Sequence, residues 1–371
     1  MSTTIRNAAL GAAVALGGLA LAVAPAAHAA DQTLNIYNWS DYIHEDTVPM
    51  FEEEFGIDVN YDVYSSNETL EGKLMAGGSG YDVVVPSGSF FRRQIEAGIY
   101  QKLDKSRLDN WEHLDQQILD RVENFDPGNQ YGVPYMWGTT GIGYNVDMVE
   151  KHIDGEAPTN SWELLFNPKY TKQLQDCGIA MLDAPTEVLE HVRNYLGLGQ
   201  NSDDPEDLKK AVAQLEKVRD HVRYFHSSQY INDLANGDIC VAMGWSGDVY
   251  IARDRAAASE NDITIDYAIP KEGTLIWFDI MAIPKDAPNP DAAHTWLNFN
   301  MRPEIAAQNV NYVWYPTANA DALQHIKPAI KNNPSIYPPA EVKQNLYVDE
   351  ERSPGFARKE TRAWQKVKTG L

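Results

Sequence analysis

Several short stretches of the chain set an aromatic ring beside a carboxylate. Trp39, Ser40, Asp41 and Tyr42 stand together, and Trp245, Ser246 and Asp248 repeat the arrangement. Trp277, Phe278 and Asp279 are in line, Glu187 and Asp183 open "LDAPTEVLEH", and Trp314 and Tyr315 lie in "NYVWYPTAN". Carboxylates accept hydrogen bonds from cationic donors, at about 1.5–3 kcal/mol each. Flat rings take methylenes or ammonium groups, the latter at about 0.5–2 kcal/mol. A cleft walled by such junctions suits a ligand with cationic ends and an apolar middle. An anion is excluded by the signs. Sugar sites also use Trp and Asp, but they usually add Arg or Lys, which these junctions lack.

Each residue also has an ordinary explanation. A single Trp packs in a core, and an Asp at a strand end caps the following helix. We assign Trp314 and Phe278 to the core on that ground. The repetition of the pairing carries the functional reading. No catalytic residue is assigned, because the chain has no G-x-S-x-G elbow, no H-E-x-x-H and no phosphate loop. A secreted carboxylate-dependent glycoside hydrolase is the rival of a different class, and an acidic structural protein is a third. The nine His residues are scattered and His226 reads as structural. No metal or cofactor is expected.

These junctions need strand ends and helix starts to hold them. "LNIYNW" (34–39), "VNYDVY" (59–64), "YDVVVP" (81–86), "DICVAMGW" (238–245) and "LIWFDIMAIP" (275–284) read as strands, each followed by a helical stretch. Asn67 suits the N-cap of the helix after the second. A bend is expected at "WGTTG" (137–141), and 203–222 has the period of a surface helix. Strands alternating with helices predict an α/β protein with mainly parallel sheets, in one sheet of about ten strands or in two lobes.

The first thirty residues are separate. Arg6 is the only charge before the apolar run 8–24, and Ala27 and Ala29 have A-x-A spacing, as in a cleaved secretory signal over 1–30. No Cys follows to carry a lipid. The formal charge of −22 argues against nucleic acid and anionic membrane as partners. Cys177 and Cys240, two cysteines in an exported chain, favour a disulfide over two buried thiols.

"NWSDYI", "YDVVVPS", "GVPYMWGTTGIGYN", "MGWSGD" and "YPTAN" resemble the signatures of the periplasmic polyamine-binding proteins, the soluble receptors of putrescine and spermidine ABC importers. The likeness runs from "LNIYNWSDYI" to "TRAWQKVKTG", essentially the whole chain after the signal. It implies the type II periplasmic binding-protein fold, with two lobes joined by a hinge, residence in the periplasm as a monomer, and a membrane permease as partner. We expect residues 31–137 and about 249–310 in the first lobe, and 138–248 and about 311–371 in the second. By the same resemblance Asp41 and Asp248 bind the ammonium ends, and Asp279 and Glu187 add charge. Trp39, Trp245, Trp277 and Tyr315 form the walls, while Ser40, Tyr42 and Ser87 make polar contacts. Ser40-Asp41, Ser89 and Ala184 resemble putrescine-type receptors. Trp277 departs from them, since they tend to carry Phe there, and "YVDEERSP" brings further acids. Putrescine is therefore expected first, with a spermidine-preferring or dual receptor as the alternative.

Overall fold

The computed structural model describes residues 32–259 and 262–370, so the expected signal segment lies outside the described residues. Among these, no helix is long and apolar enough to cross a membrane. Ten strands make one hydrogen-bonded sheet: β1 (Thr33–Trp39), β2 (Asp58–Tyr64), β3 (Val83–Val84), β4 (Gly132–Asn145), β5 (Ile179–Met181), β6 (Tyr224–Phe225), β7 (Val241–Trp245), β8 (Ile265–Ala268), β9 (Thr274–Ala282) and β10 (Leu346–Tyr347). The path runs β2-β1-β3-β9-β4-β7-β5-β6, with β8 beside β4 and β10 beside β9.

The outer strands pair in parallel, β1 with β2 and β3, and β5 with β6 and β7. Leu34 and Ile36 of β1 are buried, as are Ile179 to Met181 of β5, because helices must return across both faces of a parallel pair. The centre is antiparallel. There β4 pairs with β9 from Gly132 to Thr139 and with β7 from Thr140 onward. The expected bend at "WGTTG" is thus part of one 14-residue strand, nearly all of it buried, which changes partner between Thr139 and Thr140. Gly138 is required here, since a Cβ would meet the Trp277 ring at 2.5 Å.

The helix Ser246–Ala258 packs on Gln229–Asn236 and leads into β8, which pairs with the same stretch of β4, Ile142 to Tyr144, as β7 does. Thr317 and Asn319 bridge to Met136 and Leu114. Asn67 is not the N-cap; Ser66 is, accepting from the Thr69 N–H at 3.2 Å. The period read over 203–222 is realised by the helix Pro205–Val218, which buries Leu208, Ala211, Leu215 and Val218. His226 caps a helix start, its Nδ1 accepting from the N–H groups of Ser228 and Gln229.

Cys177 and Cys240 are joined in a disulfide that closes 63 residues. A loop of that size stabilises the fold by about 2–4 kcal/mol. The C-terminal helix Pro354–Thr369 docks through charge: Arg193, fully buried, donates to Glu190 and to Glu360, each at 2.8 Å, and Arg352 donates to Glu190 at 2.7 Å. Removing one member would strand a buried charge, at about 3–5 kcal/mol. Asp183, which the sequence placed near the site, instead accepts from Trp364 and Lys368 of this helix.

Candidate ligand-binding site

Strand ends and helix starts converge on a cleft of about 890 Å³, counting the open solvent at its mouth. Glu68, Glu187 and Asp248 each sit in the first turn of a helix, Asn67–Met75, Pro185–Tyr195 and Ser246–Ala258 respectively. The backbone N–H groups at a helix start favour negative charge, so these positions suit carboxylates. Asp279 comes from the middle of β9, and Asp349 from the segment after β10. Among the described residues, five carboxylates therefore line the cleft, and no Lys, Arg or His does.

Asp248 is 5% exposed. Its two oxygens accept from the hydroxyls of Tyr315 at 2.6 Å and Tyr230 at 2.7 Å. Those hydroxyls in turn accept from the N–H groups of Asp248 and Trp245, which fixes the carboxylate and leaves its remaining lone pairs free. Asp279 is 3% exposed and accepts from Ser87 Oγ at 2.6 Å, with Ser87 itself held by Asn67. The Tyr42 hydroxyl lies beside Asp279 without an ordinary hydrogen bond. Glu187 accepts from Thr140 Oγ1 and from Trp245 Nε1, the latter at 3.1 Å. Burial pushes Glu68, Glu187, Asp248 and Asp279 each up to about 7, against the hydrogen bonds that favour their ionised forms. Asp349 is raised for the same reason, with Arg352 at 3.3 Å working the other way.

The rings differ in where their N–H groups go: Trp245 donates into the cleft to Glu187, and Trp277 Nε1 is buried without a partner among the described residues. Trp39 Nε1 donates to the Val85 carbonyl at 2.9 Å, and Trp39 meets Trp245 edge-on at 5.4 Å between centroids. Trp277 packs on Tyr315 at 5.3 Å, and Tyr315 on Tyr42 at 5.1 Å. What they offer the cleft is apolar surface. Gly247 allows this packing, because a Cβ there would lie 2.5 Å from the Val313 carbonyl and against the Tyr315 ring.

Ten of the eleven residues singled out in the sequence line the cleft: Trp39, Ser40, Tyr42, Ser87, Glu187, Trp245, Asp248, Trp277, Asp279 and Tyr315. Asp41, expected at an ammonium end, is the exception and is not among the lining residues. Its backbone is left-handed, at φ 55°, and its carboxylate pairs with Arg255 at the rim. Beside it Ser40 Oγ lies 2.9 Å from Ser228 Oγ. Asp41 and Arg255 are 31% and 35% exposed, so solvent screens the pair to about 0.2–1 kcal/mol. Asp41→Asn is expected to lower ligand affinity less than about fivefold. Raising salt in a calorimetric titration should shrink that difference.

Trp314 lies outside the cleft, stacked on Tyr250 and donating to Asp254. Phe278 is buried as core yet also borders the cavity. Sequence reasoning missed Glu68 and Thr186 as lining residues, while Asp349 comes from the acid-bearing stretch "YVDEERSP". Glu68 had only its place after an N-cap to mark it, and Asp349 depends on the long-range Arg352 contacts.

Residues 47–338 match the family described as bacterial extracellular solute-binding protein. The putrescine-binding periplasmic protein SpuD of Pseudomonas aeruginosa strain UCBPP-PA14 is 51% identical over 95% of this chain and 96% of its own. The putrescine-binding periplasmic protein PotF of Escherichia coli K12 is 50% identical over 96% of each. Among solved structures, the spermidine/putrescine ABC transporter substrate-binding protein PotD of Streptococcus pneumoniae superposes with a TM-score of 0.70 at 31% identity, covering 91% of this chain and 99% of that one. The fold is accordingly the two-lobed α/β type II binding-protein fold, and the chain belongs to the bacterial extracellular solute-binding protein family.

Proposed function

We propose that this protein is a periplasmic receptor that captures putrescine in the cleft and delivers it to the membrane permease of an ABC importer. The observation that carries the reading is the lining itself, which among the described residues has five carboxylates, several aromatic faces and no cationic side chain. A ligand bringing two positive charges and four methylenes supplies what that lining lacks. Buried carboxylates need cationic partners, and each buried methylene contributes about 0.8 kcal/mol. The two relatives near 50% identity, both named for putrescine, support that ligand over a spermidine-preferring receptor.

Asp248 and Asp279 hold the ammonium ends, with Glu187 adding charge and Trp39, Trp245, Trp277 and Tyr315 enclosing the methylenes. Ser40, Tyr42 and Ser87 supply polar contacts, and Asp41 closes the rim. The lobes meet where β4 changes partner. Residues 32–139 with β9 and the 311–319 segment form one, and 140–268 with the C-terminal helix form the other, a division supported by the strand pairing. Ligand then shifts the population toward a closed form of the monomer.

Incubation with labelled putrescine should give saturable binding and return the diamine unchanged, while a glycan panel is left intact. X-ray scattering should show a monomer whose radius falls on saturation. Turnover of a glycan without diamine binding would overturn the reading.

A further inference from the structure

We infer that His191 is a positioning residue: it ties Glu187 and its helix to the point where β4 passes from β9 to β7. The inference rests on the proposed diamine site. His191 is fully buried, one turn beyond Glu187 on the same helix, and its ring packs on Trp162 at 4.7 Å. Nδ1 lies 2.7 Å from the Glu187 carbonyl, which can only accept, so the hydrogen is on Nδ1. Nε2 is then the acceptor, taking the Leu275 N–H at 3.3 Å and lying 2.8 Å from Thr274 Oγ1. The Thr274 hydroxyl also lies 2.5 Å from the Thr140 carbonyl and shares one proton between the two acceptors. Thr140 completes the ring by donating its own hydroxyl to Glu187 Oε1. The ring therefore runs from the Glu187 carboxylate through Thr140, Thr274 and His191 back to the Glu187 main chain.

Its place in the fold gives the ring its purpose. Thr140 is the first β4 residue paired with β7, and Thr139, before it, is the last paired with β9. Thr274 opens β9. The imidazole thus meets β9 directly and β4 through the Thr274 hydroxyl, one turn beyond a cleft carboxylate on its own helix. Burial pushes the ring down to about 4, so it remains neutral throughout the neutral pH range. The ring's geometry requires that neutral form.

A double-mutant cycle on putrescine affinity tests this, using the full chain with His191→Asn, Glu187→Gln, both together, and Asp248→Asn as the reference for the site. His191→Asn should weaken binding about tenfold in the native background and less than about twofold beside Glu187→Gln. A residue that only supports the fold would give the same loss in both backgrounds, and that result would overturn the inference. Should His191→Asn fail to fold, Thr274→Val cuts the same ring and is read in the same cycle. Loss of binding on Asp248→Asn, with His191→Asn silent, would overturn the inference and leave the site reading intact. Unchanged binding in every variant would overturn both.

Discussion

Asp248→Asn is expected to lower putrescine affinity by about 2–5 kcal/mol, roughly 30- to 5,000-fold. The carboxylate is 5% exposed and oriented by two tyrosine hydroxyls. Asparagine keeps the shape but presents neutral atoms to a desolvated ammonium, which loses its counter-charge where water cannot replace it. Trp39→Ala should lose less, since a ring wall contributes only through the methylenes it covers, at about 0.8 kcal/mol each. Glu53, exposed on the helix Thr47–Phe55, is the silent control. Glu52 beside it would be a poorer one, because it accepts from the Val59 N–H at 2.8 Å. Calorimetric titration of the three variants ranks them directly.

The second large effect is on pH. Asp248 and Asp279, both nearly fully buried, are pushed up to about 7, first by burial. A dication binds their ionised forms, so affinity should rise with pH through about 7. Between pH 6 and 8 each such carboxylate gains about tenfold in its ionised fraction, giving up to about 100-fold for the pair. The free protein should behave oppositely. Acids whose folded values lie above the unfolded ones, near 4, contribute stability that is fully present below about 4 and lost as pH rises through about 7. Melting curves should therefore show the ligand-free protein weakening from pH 4 to 7, while the shift produced by putrescine grows over pH 6 to 8. A putrescine shift independent of pH would contradict the assignment of these two acids.

Much of this site was legible as local pattern. Trp245 and Asp248 stand three apart across a strand-to-helix turn, and the turn alone brings them to one cleft. The same holds for Trp39, Ser40 and Tyr42. Asp41 shares that local pattern, and nothing near it in sequence reveals Arg255, 214 residues away, which takes its charge. Asp349 reaches the cleft because Arg352 is held by Glu190, 162 residues earlier in the chain. The central sheet failed for a related reason. The stretch "WGTTG" read as a bend, yet it lies inside one continuous strand, where the Trp277 ring leaves no room for a Cβ at Gly138. Local periodicity marks where a strand runs, and only its partners decide where it changes hands.

The division of labour between Asp248 and Asp279 is tested most directly by a crystal structure of the protein with putrescine. It should place one nitrogen about 2.7–2.9 Å from a carboxylate oxygen of Asp248 and the other as close to Asp279, with the methylenes against the tryptophan rings and Asp41 still on Arg255. A diamine whose nitrogen sits on Asp41, with Asp248 or Asp279 left without one, would contradict the account.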